Sequence, residues 1–425
     1  MNLKRSFVLF VSLLFLNLLS AEGKILTIED AVRLAKENNI SVKKAENDLD
    51  SLAVQNKYSW NSVSPAAKLN GNFEDDIEND STDFSLSGAV NLSLKTNLYS
   101  EIKGAKLNYE KGLLTYSEAV RQIELSVRKK FYNLIYQKEN LVLQNRSLET
   151  SRTQYLNNEE KFKNGKISEL DAFTSRVNYE SKKPVVESAE INFQNDLASF
   201  KQLLGIPQKT EIALDGSLDD FLNLKEISFG LLPKVDEPAP DVKSAEYDVE
   251  IAKNSLLNLR FSAYAPVITG SYSYGKSKKS TQDDWMTTNR LSVGVSVPLD
   301  GILPWSSSAV DIKKQKNALD TAEKVLEDAK TSVAVQTESY IRKINQAVKQ
   351  LDSLKSTEKL AEQTYKMTLA AYNYGKTDFL SLQNANDSVL SAGVNLKSQA
   401  YTLISTILDL ESVLGLEFGT LETKK

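Results

Sequence analysis

The chain has 425 residues, 52 Lys and Arg against 56 Asp and Glu, a net charge of −4, and neither His nor Cys. That excludes imidazole acid–base catalysis, thiol nucleophiles, disulfides and Cys/His metal centres, and it leaves no basic excess for nucleic acid. With 17 Gly and 9 Pro the composition favours long uninterrupted helices.

Residues 1–23 read as a signal peptide. Lys4 and Arg5 precede an apolar run from Phe7 to Leu16, and Ala21, Glu22 and Gly23 form a small-x-small cleavage site. That run is short for a membrane span, and no later run reaches about 18 consecutive apolar residues. An exported chain of this kind re-enters a membrane only as a closed β-barrel.

From Leu26 a helix start is legible, with Thr27 as N-cap and Glu29 and Asp30 in the first turn. Four alternating segments follow along the chain. Ala67, Leu69, Gly71 and Phe73 share one face, as do Phe84, Leu86, Gly88, Val90, Leu92 and Leu94. Later come Ile268, Gly270, Tyr272 and Tyr274, then Leu291, Val293, Val295, Val297 and Leu299. Period two with an apolar and a small polar face predicts strands between two environments, and the lengths suit tilted membrane strands. The turns between them are expected at Asp75–Thr82 and Lys276–Asn289.

Very long helices are predicted from Tyr99 to Phe162 and from Trp305 to Tyr372. The second carries a stripe including Ala318, Val325, Tyr340, Ile344, Leu351, Leu369 and Tyr372. It recurs about every 3.6 residues along a rod of roughly 100 Å. Each rod ends at a glycine, Gly165 or Gly375, and reverses into a second helix ending near Gly205 or Gly415. The two glycine pairs are separated by the same interval, the mark of an internal duplication. The chain thus divides into a first repeat (24–206), a connector (207–240) read as irregular, a second repeat (241–418) and a tail (419–425). Pro184 is expected to bend or break its helix. Gly375, Lys376 and Thr377 end like a phosphate loop, but Ala370 stands where that loop needs its first glycine. A coiled-coil structural or adaptor protein, secreted or periplasmic, is the alternative reading of the rods.

In order and spacing these pieces resemble the TolC-like outer-membrane efflux proteins. The resemblance is carried by the stretch from Leu26 to Asn39, the strand exit Ser296–Gly301, and the tips Lys161–Asp171 and Tyr372–Thr377. It implies an α+β membrane protein: long α-helical hairpins forming a periplasmic tunnel, plus a β-barrel to which each subunit of a homotrimer gives four strands. It also implies the outer membrane as location, with lipid around the barrel and a periplasmic adaptor protein and inner-membrane pump as partners. The function implied is an exit duct for tripartite efflux or type I secretion, with no catalysis, cofactor, metal or nucleic acid.

The resemblance further places Trp60, Tyr99 and Trp305 at the membrane interface. It makes Gly165 and Gly375 the hairpin tips and puts the gate at Asp171, Tyr372, Thr377, Ser381 and Asn384. Tyr372 and Asp171 match positions that tie the closed end in relatives. Thr377 replaces an Arg there, and Ser381 and Asn384 replace acids that line the constriction. Asp378 and Asp387 are the nearby acids able to substitute. No Cys follows the signal, so the lipid anchor of some relatives has no attachment point.

Overall fold

The structure, a computed structural model, describes residues 24–78, 81–222, 238–280 and 284–421. The expected signal peptide, residues 223–237 of the connector and the last residues of the tail lie outside these. Short helices α1 (Ile28–Asn38) and α2 (Ile40–Lys57) lead to strands β2 (Ala66–Asp76) and β3 (Ser81–Lys95). Then come the long helix α3 (Leu98–Lys163) and its return α4 (Glu169–Leu204). After α6 (Pro240–Tyr264) the same order recurs: β5 (Val267–Lys279), β6 (Met286–Ser296), α7 (Ser307–Asn373) and α8 (Phe379–Leu414). The 67 residues of α7 span about 100 Å at 1.5 Å per residue.

Thr27 caps α1 as its sequence indicates, its side chain accepting from the Asp30 backbone N–H at 3.2 Å. Each hairpin tip is built by its glycine. Gly165 and Gly375 both adopt φ 67°, the left-handed conformation that ends a helix without the Cβ penalty. Behind them Lys166 N–H bonds Lys161 C=O at 2.8 Å and Lys376 N–H bonds Ala371 C=O at 2.9 Å.

The four long strands form one antiparallel sheet in the order β2-β3-β5-β6, leaving β2 and β6 as open edges. The register lines up Ala67, Val90, Tyr272 and Leu291 across all four strands. This apolar face is exposed to solvent in the single chain, with Leu69, Val293 and Leu291 at 75% or above. Trp60, Tyr99 and Trp305 stand exposed where strands meet helices. Phe84 and Trp285 pair edge-to-face near the opposite end, 5.8 Å between centroids.

Both expected turns are shorter than the sequence indicates. Asp75 pairs with Thr82 in the β2–β3 ladder, and β5 continues through Lys276, Lys278 and Lys279. Lys279 forms an ion pair with Asp83 at 3.3 Å across β3 and β5. Alternation of side chains records the environment of a strand, whereas backbone pairing continues past it through polar residues.

The core lies midway along the rods, where α1, α3, α4, α7 and α8 converge. Leu26, Phe131, Leu134, Phe200, Leu204, Ile344, Ile404 and Leu408 are fully buried there, each contributing about 1.5–3 kcal/mol. Part of the connector is ordered and joins this core. Strand β4 (Ile212–Leu214) pairs in parallel with β1 (Lys24–Leu26), and Leu218, just before the short helix α5 (Asp219–Leu222), is fully buried. Residues 419–421 also dock on the core. The Glu411 carboxylate accepts the backbone N–H of Gly419 and of Leu421, the latter at 2.7 Å.

The predicted stripe of α7 is buried at Ile344, Ala347 and Leu351 but exposed at Ala318 and Val325. At that end the half-buried face shifts to Ile312, Leu319 and Leu326, toward α6. Pro184 neither breaks nor ends α4, which runs continuously through it. A cleft of about 750 Å³ opens beside it, between α3 and α4.

Candidate tunnel gate

The two tips carry one capping design with its chemistry exchanged. At the first, Ser168 caps α4: its Oγ accepts from Asp171 N–H at 3.1 Å and donates to Asp171 Oδ2 at 2.8 Å. At the second, Asp378 caps α8 and accepts from Ser381 N–H at 2.7 Å. The Ser381 hydroxyl adds a second bond and holds the Asp378 carboxyl below the ordinary carboxylate range. Asp171 and Ser381 thus occupy equivalent capping positions.

Tyr372 reaches from α7 to α3, where its hydroxyl donates to Asn158 Oδ1 at 2.7 Å. Lys161 sits over its ring at 4.6 Å, and Phe379 packs against it. Burial pushes the Tyr372 phenol up, Asn158 partly pulls it back, and the nearby Asp171 charge adds a further push. The structure therefore brings Tyr372 and Asp171 close together while each is bonded elsewhere. Thr377 is half-buried at the tip, and Ser381 and Asn384 are exposed.

Above the tips the helices meet through polar groups that the sequence reading did not single out. Ser147, Ser151, Gln154 and Asn158 of α3 are all buried at core-facing positions. Opposite them lie Ser175 and Asn178 of α4 and Asn386 of α8, also buried. Lys182 of α4 donates to Ser147 Oγ at 2.8 Å and to Asp387 of α8 at 2.7 Å. Gln154 donates to the Tyr365 hydroxyl at 3.4 Å. The available signal was a change from apolar to polar at constant spacing along α3.

The charges of α8 are engaged with other elements. Asp387 pairs with Lys182, Lys397 with Glu139 and Asp219, and Asp409 with Lys129. Its exposed face carries Ser381, Asn384, Ser388, Ser391 and Asn395, none of them charged. Asp378 and Asp387, the acids able to substitute at the constriction, are thus held in a cap and an ion pair.

Long paired hairpins joined to an open four-stranded sheet make up a fold found in solved outer-membrane channels. Residues 231–416 match the family model described as outer membrane efflux protein. Outer membrane protein TolC of Vibrio cholerae serotype O1 (strain ATCC 39315 / El Tor Inaba N16961) is 20% identical over 306 residues, covering 71% of this chain and 69% of the relative. The Campylobacter jejuni CmeC outer membrane channel superposes with a TM-score of 0.78 at 17% identity, covering 91% of this chain and 85% of CmeC. VceC of Vibrio cholerae gives 0.73 at 13% identity, covering 92% and 96%. The open state of the Neisseria gonorrhoeae MtrE outer membrane channel gives 0.66 at 18%, covering 92% and 89%. The chain shares the fold of these outer-membrane channels, and its second half matches the outer membrane efflux protein family. The coiled-coil alternative fails on the sheet, which no stalk requires, and on these matches.

Proposed function

We propose that three copies of this chain form a passive exit duct that works with a periplasmic adaptor and an inner-membrane pump. The observation carrying this reading is the sheet. Four strands with an exposed apolar face and two open edges are incompatible with a bilayer until those edges pair with other copies. Exposed aromatic side chains at both ends of the sheet fit the two membrane interfaces.

The helical tips form the periplasmic mouth, and Tyr372, Asp171, Thr377, Ser381 and Asn384 belong to the region that narrows it. The pump supplies the driving force, and the duct responds by parting its helix ends. Purified protein in detergent should behave as a trimer and, in a planar bilayer, give discrete ion-conducting steps. A soluble elongated monomer without conductance would overturn the reading.

A further inference from the structure

We infer that Lys68 and Arg290 set a belt of positive charge inside the barrel, which makes the duct a path for small anionic solutes. This inference rests on the channel reading and adds a class of cargo to it. It starts from the face of the sheet opposite the apolar one. Along β2, β3, β5 and β6 that face is mostly hydroxyl, amide and glycine, and Ser271 and Ser292 bond across it at 2.6 Å. With the apolar face toward lipid, the polar face lines the water of the lumen.

The register places the two cations in one row. Lys68 pairs with Ala89, Ala89 with Ser273, and Ser273 with Arg290. Each of these residues is one step out of phase with the apolar row through Ala67, Val90, Tyr272 and Leu291, so the row belongs to the polar face. Both cations are exposed, and neither has an ion-pair partner among the described residues. Lys95 lies at the helical end of this face, and Glu74, Asp76, Asp83 and Lys279 lie at the turn end. Between those ends Lys68 and Arg290 are its only charged residues among those described.

The acids at the turn end do not cancel this charge. Asp83 is already paired with Lys279 at 3.3 Å. Glu74 stands six residues beyond Lys68 on β2, roughly 20 Å along the strand. Screening in physiological salt acts over about 8 Å, so the middle of the lumen stays cationic. Strands β2 and β6 are the two edges of the sheet, so Lys68 and Arg290 flank every seam between subunits. Three copies turn them into one ring of lysines and one of arginines.

Rings of Lys and Arg favour anions in a pore, because like charges around a lumen enrich the opposite ion there. The side chains are exposed and hydrated, so they attract a passing carboxylate or phosphate without holding it, as conduction requires. At the tips, Ser381, Asn384 and Ser388 are exposed and neutral and impose no opposing preference. Lysine on an edge strand also discourages stray pairing, and an effect on permeation separates that role from this one.

The test is the reversal potential of reconstituted trimers in a planar bilayer under a salt gradient. With potassium chloride the wild type should favour chloride over potassium by about threefold, and Lys68→Gln with Arg290→Gln should bring that ratio to about one. With potassium benzoate as an organic probe, the same double substitution should lower the anion-to-cation ratio by about twofold or more. If the double variant does not assemble, Ser273→Cys decides the matter, since the chain has no other cysteine and Ser273 sits beside Arg290 in the row. Its thiol should react about tenfold faster with a sulfonate-bearing than with a trimethylammonium-bearing methanethiosulfonate, each rate taken relative to that reagent's rate on a small free thiol. A conducting wild type with a chloride ratio at or below one, a ratio for either salt unchanged by the double substitution, or equal relative thiol rates refutes the belt and leaves the channel standing. A wild-type trimer that never conducts refutes the channel reading and the belt with it.

Discussion

Tyr372 shows how much depends on one atom. Its hydroxyl donates to the buried Asn158 Oδ1, while Asn158 Nδ2 has no hydrogen-bond partner among the described residues. Tyr372→Phe keeps the ring contacts with Lys161 and Phe379 and removes that bond, at a cost of about 1 kcal/mol. The expected outcome is a severalfold rise in baseline conductance with unchanged trimer yield. Ser381 and Asn384 offer a complementary test. Neutral side chains at a constriction do not concentrate counter-ions, so divalent or trivalent cations added from the periplasmic side should block the channel poorly. Ser381→Asp with Asn384→Asp should strengthen block, read as a drop in the blocking concentration. Potent block of the wild type, unchanged by the double substitution, would place the acidic ring elsewhere.

Glu411 makes a pH prediction. Burial raises its carboxyl above the ordinary value of 4.5, against hydrogen bonds from Leu421 and Gly419 that lower it. The folded chain then binds more protons than the unfolded chain at pH values just above 4.5. Its contribution to stability is therefore greatest below that value and declines as pH rises through the folded value. Glu411→Gln should flatten this part of the profile, seen in thermal midpoints of the detergent-solubilised protein across the window.

At the scale of elements, Pro184→Ala should restore a helical hydrogen bond and stabilise α4 by up to about 3 kcal/mol. Hydrogen exchange of residues 180–188 would register the change as slower opening. The elements themselves were largely legible. The long helices begin and end within a few residues of their predicted bounds, because a stripe near period 3.6 closed by a left-handed glycine leaves little choice. Strand ends were not legible, since Glu74 and Lys276 stay in the ladder where the apolar alternation has stopped. The polar seam was hidden for a different reason. Ser147, Asn158 and Asn178 look like surface residues, and only their placement against a second repeat puts them inside. Pro184 does not break α4, because packing on neighbouring helices can hold a helix through a local defect.

At the scale of the whole molecule, one chain leaves large apolar surfaces open. Besides the open sheet edges, α4 exposes Leu170, Phe173, Val177, Val185 and Ile191, and α7 exposes Leu360 and Met367. Such surfaces are expected to be covered when three copies close the tunnel. Val177→Asp should lower trimer yield while leaving the helical content of any remaining monomer intact, as read by mass measurement in detergent and circular dichroism.

The strand order carries a consequence for how the protein is made. Strand β3 of the first repeat pairs with β5 of the second, across the entire first helical hairpin. A chain emerging from its N-terminus therefore presents the β2–β3 hairpin long before its partner strand has been delivered. During that interval two unsatisfied backbone edges are open to any passing polypeptide, a known route to aggregation. Only when β5 and β6 have been made does the chain itself cover the inner edge of that hairpin.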